Sequence, residues 1–215
     1  MTRTFPPSPR TRPTRNAHRV SYDRDAVHAV LDSASLCHVG FVVDGRPVVL
    51  PHLYARVDDV LYLHGSTGAR ALRGTGGLDV CVTVTLLDAL VLARSAFHHS
   101  ANSRCVVAHG RAVPVREEQE KRAALDALVE SVARGRSQEC RPPSAKELAA
   151  TAVLALPLEE VSLKVRTGPP VDDDADLGLG HWAGVLPLRT VAGSPEPAEG
   201  VTAPVPPSVA GWSQG

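Results

Sequence analysis

Apolar and polar positions change rhythm several times along this chain, and each change marks an element. After a start without periodicity, Val27, Val30 and Leu31 repeat at helical spacing behind Asp23, whose carboxylate can cap free backbone N–H groups. Strand-like runs follow over Leu36–Val43 and Pro47–Ala55, on either side of Asp44-Gly45-Arg46. Asp-Gly between such runs is a strong hairpin signal. Val60–His64 comes after a second turn at Asp58-Asp59, and Val80–Leu87, Leu90–Ala93 and Arg104–Val115 continue the strand pattern. Thr67 to Arg73 reads as a short helix capped by Ser66 or Thr67. Glu117 to Ala133 is the clearest helix, with Leu125, Leu128, Val129 and Val132 on one face. Ser144 and Glu147 stand at capping-box spacing and start another. Ala152–Leu158 and Val161–Arg166 complete the strands.

Six or more strands with a late helical insertion predict a mainly β domain, an antiparallel barrel with peripheral helices. A parallel α/β arrangement needs a helix after nearly every strand, and the runs stand too close for that. Residues 1–20 read as a disordered, basic and Pro-rich tail, 21–188 as the domain, and 189–215 as a flexible Pro, Ala and Gly tail. No internal repeat is visible.

Composition changes this picture in three places. Aromatics are only 4% of 215 residues, so the core must be built from Val, Leu and Ala. A formal net charge of zero argues against nucleic acid or an anionic membrane as the main partner. The local exception is the start, where Arg3, Arg10, Arg12, Arg15 and Arg19 precede the first acid, Asp23. No signal-type apolar stretch of roughly 7–15 residues follows them, and no run approaches the roughly 18 apolar residues of a membrane span. The expected location is cytoplasmic. Cys37, Cys81, Cys105 and Cys140 form no CxxC pair or zinc-type spacing and are expected as inert thiols.

Three segments could carry chemistry. In Leu61-Tyr62-Leu63-His64-Gly65-Ser66-Thr67-Gly68-Ala69-Arg70, a strand ends at a histidine, two hydroxyls follow, and an arginine lies in the next turn. That set can cradle a phosphate, and it equally suits an ordinary cap with a surface arginine. Ser95 to Arg104, with His98 and His99, is dense in polar residues between apolar strands: a pocket wall, a subunit interface or a solvated hairpin loop. The third runs from Lys164-Val165-Arg166-Thr167-Gly168-Pro169-Pro170 through the acids Asp172–Asp176 to Trp182. Trp182 either covers a flat ligand or anchors the C-terminal crossing. No metal site is expected, since no acid or cysteine stands at ligand spacing from the histidines. A GxSxG elbow and the GxGxxG and GxxxxGK[ST] loops are absent, which removes elbow hydrolases, Rossmann sites and P-loops.

Five blocks in order carry a resemblance from about His18 to Leu188. They are Cys37–Phe41, Leu61–Ser66, Leu90–Ser100, Lys164–Pro170 and Trp182–Val185. Together they resemble the pyridoxamine 5′-phosphate oxidase-like, flavin-nucleotide-binding proteins, including the nitroimidazole-resistance branch. Relatives commonly read His-Ser-x-Asn-Tyr-Arg-Ser where this chain has Ser103 and Cys105 in place of Tyr and Ser. The resemblance implies a six-stranded antiparallel split β-barrel, a homodimer, and FMN in a groove at the subunit interface. It implies FMN phosphate around Ser66, Thr67 and Arg70, His52 and Leu53 along the isoalloxazine, and Arg104 as a second phosphate or interface contact. His64 is implied either as a flavin wall or as the catalytic residue. The expected function is an FMN-dependent oxidoreductase acting on a small organic molecule. The alternatives are a non-catalytic flavin or haem carrier or sensor, and a flavin-free enzyme using His64.

Overall fold

The computed structural model describes residues 3–67 and 76–212, so the expected helix from Thr67 to Arg73, and Arg70 with it, lies almost wholly outside the described residues. Nine strands and four α-helices are present among them. They run β1 (Val20–Ser21), α1 (Arg24–Asp32), β2 (Leu36–Val43), β3 (Arg46–Val57), β4 (Val60–Ser66), β5 (Leu78–Leu92) and β6 (Ser100–Pro114). Then come α2 (Glu118–Val132), α3 (Ala145–Ala150), β7 (Thr151–Pro157), β8 (Glu160–Arg166), β9 (Gly184–Pro187) and α4 (Pro207–Ala210).

Six strands close into a ring by antiparallel pairing, in the order β2–β3–β4–β7–β6–β5 and back to β2. The expected mainly β barrel is therefore what forms. β8 lies outside the ring on the first half of β6, β1 lies on β8, and β9 lies on β5. β6 changes partner midway: its ladder with β8 ends at His109–Glu160, and Val113 then faces Ala155 of β7. Gly110 sits in that change of direction, where a Cβ would stand 2.8 Å from Leu156 Cδ1. The glycine lets the strand cross close to β7.

Local chemistry explains the elements. Asp44 and Gly45 both take positive φ, 49° and 73°, as a two-residue hairpin between twisted strands requires. Asp23 caps α1 by accepting from the Ala26 N–H at 2.8 Å, and Val27, Val30 and Leu31 are buried. Ser144 and Glu147 form the capping box of α3. The two strands expected at Val80–Leu87 and Leu90–Ala93 are one, continued through a bulge at Asp88. Asp88 accepts the Leu188 N–H on its carbonyl, so the bulge also ties down the end of β9. The core is aliphatic, with Leu61, Val82, Val84, Val106, Leu156 and Val161 closed to solvent. Of the cysteines, Cys37 alone is buried, its thiol pushed up to about 12 by burial; Cys81 and Cys105 are half-buried.

Both ends differ from the tails expected. Phe5 is 0% exposed in the core, its N–H on the Tyr22 carbonyl at 2.8 Å, and Arg24 lies over its ring at 4.3 Å. One apolar anchor among prolines and arginines leaves no period, so the pattern could not disclose it. At the other end, Trp212 donates Nε1–H to the Val132 carbonyl at 2.8 Å, and buried Ser208 bonds Glu139. Replacing Phe5 with Ala should cost about 3–5 kcal/mol, lowering the melting midpoint by on the order of 10 °C. An unchanged midpoint in thermal melts of Phe5→Ala would place the arm off the core.

Candidate functional site

β3 is a strand with two partners. Its residues Arg46–Leu53 pair with β2, and Tyr54–Val57 pair with β4. β4 pairs along its whole length with β7, from Val60–Pro157 to Ser66–Thr151. The β3–β4 ladder therefore stops at the Tyr54–Leu63 pair, and the two strands part there. Tyr54 and Leu63 both point into the core. By strand alternation, Leu53 and His64 take the opposite face, and His52 returns to the face of Tyr54. The sequence-predicted residues His52, Leu53, His64, Ser66 and Thr67 all stand along this parting.

Tyr54 fixes where it begins. Its hydroxyl donates to the Leu31 carbonyl at the end of α1, and its own carbonyl accepts Ser131 Oγ of α2 at 2.8 Å. Burial drives the phenol well above its ordinary range, so it stays a neutral donor. Thr67 closes the far end, its N–H and hydroxyl both donating to the Ala150 carbonyl, at 3.1 and 3.3 Å. Ser66 pairs with Thr151 in the ladder.

His64 is the anomalous group at this parting. Its Nδ1 is enclosed and finds no hydrogen-bond partner among the described residues. Burial first, and the nearby His52 second, lower its proton affinity below the ordinary histidine value. Both effects favour neutral imidazole, which offers a lone pair to a metal or a proton. A buried ring nitrogen without a partner is costly unless a ligand takes it up.

Arg104 and Trp182 stand elsewhere in the single chain. Arg104 is on β6, across the ring from β3, and grips Asp88 through Nε and Nη2 at 3.1 and 2.8 Å. Trp182 folds its ring over Gly184 at the start of β9, close enough that a Cβ there would meet it at 2.9 Å, and remains 68% exposed. Sequence reasoning missed the partners of the polar loop. Asp172 takes the Arg94 N–H and guanidinium, both at 2.9 Å, and Asp173 lies 3.2 Å from His98. The juxtaposition of an acidic run with a loop rich in Arg and His was the available signal.

The lowered proton affinity has a measurable consequence. An unfolded chain takes up a proton on this histidine at about pH 6.5, and the folded chain resists it. Folding stability of ligand-free protein should therefore fall as pH drops through about 6.5, and His64→Gln should lessen the fall. Thermal melts at pH 7.5 and 5.5 read this directly. Equal losses in both proteins would contradict the assignment.

The family model described as pyridoxamine 5′-phosphate oxidase matches residues 23–165. The flavocytochrome Anf3 from Azotobacter vinelandii is similar at 39% identity over 98% of this chain and 100% of that one, with a TM-score of 0.91. The FAD and heme binding protein from Mycobacterium smegmatis is 42% identical over 90% of this chain and 96% of that one, with a TM-score of 0.85. A candidate 5-nitroimidazole antibiotic resistance protein from Bacteroides thetaiotaomicron shares the fold, at 23% identity over 68% of this chain and 86% of that one, with a TM-score of 0.57. A search of curated proteins finds no match. With six strands closed in a ring and the family pattern matched from Asp23 to Val165, the chain belongs to the pyridoxamine 5′-phosphate oxidase-like family.

Proposed function

We propose that this protein is a redox protein that binds a flavin nucleotide together with haem, working as a twofold homodimer. The observation that carries the reading is 39% identity across 98% of the chain to a flavocytochrome. The second relative, 42% identical, is described as binding FAD and heme, which favours FAD over the FMN first expected. The residues at the parting of β3 and β4 fit such groups. Burial holds His64 toward the neutral imidazole that an iron ligand requires, and its Nδ1 has no partner among the described residues. His52 stands on the other strand face, near enough for its charge to lower the proton affinity of His64 further. Leu53 offers an apolar wall for a flavin ring, and its phosphate would lie around Ser66, Thr67 and Arg70, as the family resemblance implies.

When bound, flavin and haem supply two-electron and one-electron chemistry, and the protein sets their surroundings. His64 would hold the iron by its lone pair, which burial keeps free of a proton. Tyr54 and Thr67 would keep the two strand edges at a fixed separation. The same site could serve the small organic substrate expected from the resemblance, with His64 as its proton donor or acceptor. The haem reading is preferred because one relative near 40% identity is described as a flavocytochrome and another as binding heme.

The dimer reading rests on one face of the barrel. Leu36, Val42, Val49 and Leu53 share the outward side of β2 and β3, and Val42 and Val49 are 62% and 63% exposed. A contiguous apolar patch on a sheet face marks a partner surface, and a second copy of the chain covers it by twofold symmetry. Light scattering should give twice the chain mass, and Val42→Lys with Val49→Lys should give monomer. A wild-type monomer at micromolar concentration would contradict the dimer. Mass spectrometry of the small molecules released from freshly purified protein should find FAD and haem. Release of neither would overturn the functional reading.

A further inference from the structure

The N-terminal arm lays its arginines against the barrel. Phe5 anchors it, and buried Thr11 holds the next turn, its hydroxyl accepting the Ser8 N–H at 2.8 Å. The Thr11 carbonyl accepts from Tyr22 Oη at 2.9 Å. Asn16, in left-handed backbone conformation, then reverses the chain into the 3-10 turn Ala17–Arg19. Between arm and barrel lie two open cavities of about 570 and 380 Å³, and Arg15 lines both. Arg12, His109 and Lys164 line the larger; Arg19, His98 and Arg166 line the smaller.

The charge there is one-sided. Glu160 meets Arg10 and Asp173 meets His98, each at 3.2 Å. Among the described residues, no carboxylate pairs with Arg12, Arg15, Arg19, Lys164 or Arg166. Arg166 is held by neutral oxygens instead: Nη1 donates to Asn102 Oδ1, and Nη2 to the Pro169 carbonyl at 3.3 Å. Asn102 is buried and fixed in turn on the Gly168 carbonyl at 3.1 Å. Burial, and then the charge of Arg19, lower the proton affinity of Arg166. Guanidiniums gathered without counter-charge and oriented by neutral groups are built to receive an anion. Beside them Phe97 stands 88% exposed, its ring edge-on to His98 with centroids 5.2 Å apart. A bare aromatic at the rim of a cationic pocket suits a base carried by phosphates.

We infer that the smaller cavity, with the larger beside it, binds a nucleoside diphosphate, its phosphates on Arg15, Arg19 and Arg166 and its base against Phe97. That chemistry has two sources: the adenosine diphosphate half of a flavin dinucleotide, or a separate dinucleotide. Only the first rests on the flavin reading above.

Calorimetric titration of ADP, with adenosine as the uncharged probe, tests it on purified protein before and after flavin is stripped. ADP should bind, adenosine should not, and Arg15→Ser with Arg19→Ser should weaken ADP at least about 10-fold. Arg46→Ser, on the distant β2–β3 hairpin, should change nothing, and melting curves of all variants report folding. ADP binding to the flavin-loaded natural protein assigns a separate nucleotide. ADP binding only after stripping, with the double variant losing affinity for FAD but not FMN, assigns the flavin's own half. No ADP binding before or after stripping, or undiminished binding by the folded double variant, overturns the inference.

Discussion

The Tyr54 side chain and backbone hold the junction on which this molecule depends. It forms the last rung between β3 and β4, its ring fills the core, its hydroxyl reaches α1, and its carbonyl takes a bond from α2. Beyond that rung the strands have separate partners and must diverge. The same residue therefore ends one ladder, ties two helices to the barrel and opens the edge along which the histidines lie. A buried phenol needs a hydrogen-bond partner to be tolerated, and the choice of Leu31 as that partner sets the position of α1 over the ring.

Two regions among the described residues gather uncompensated polar groups beside open space or a strand parting, and they differ in chemistry. At the strand parting the anomaly is a neutral ring nitrogen without a partner, the signature of a site for a metal or a proton. Beneath the N-terminal arm it is a set of guanidiniums without carboxylates, the signature of a site for phosphate. Other arginines have carboxylate partners: Arg56 with Asp32, Arg24 with Asp59, Arg94 with Asp172, Arg104 with Asp88, although Arg94 keeps a buried Nε without a partner among the described residues. That contrast, within a chain of zero net charge, is what separates ligand positions from ordinary surface.

Much of the fold was legible because local rules and the final structure agree. The Asp44-Gly45 turn, the Asp23 cap and the Ser144–Glu147 box each act within a few residues. The parting of β3 and β4 was not legible, since it depends on which strand β3 chooses at each end, a tertiary matter. His52 and His64 were singled out from the resemblance, but the unpartnered nitrogen that makes His64 unusual is visible only in three dimensions. Short β1 and β9 have too few residues for a period, and both form because a long neighbour offers an edge. The arm and the C-terminal Trp212 were missed for a related reason: each docks through one or two residues inside a Pro-rich stretch. The arm's arginines form a run of charge in the sequence, and only the path of the backbone turns that run into a pocket.

The central claim is that His64 is kept neutral and unpartnered in order to bind a redox group. Absorption spectra of natural protein and the His64→Gln variant, at matched folding and protein concentration, test it most directly. The account predicts a Soret band and flavin bands in the natural protein, with the Soret band lost or shifted in the variant and the flavin bands retained. A variant spectrum identical to the natural one, or a natural protein with neither band, would contradict it.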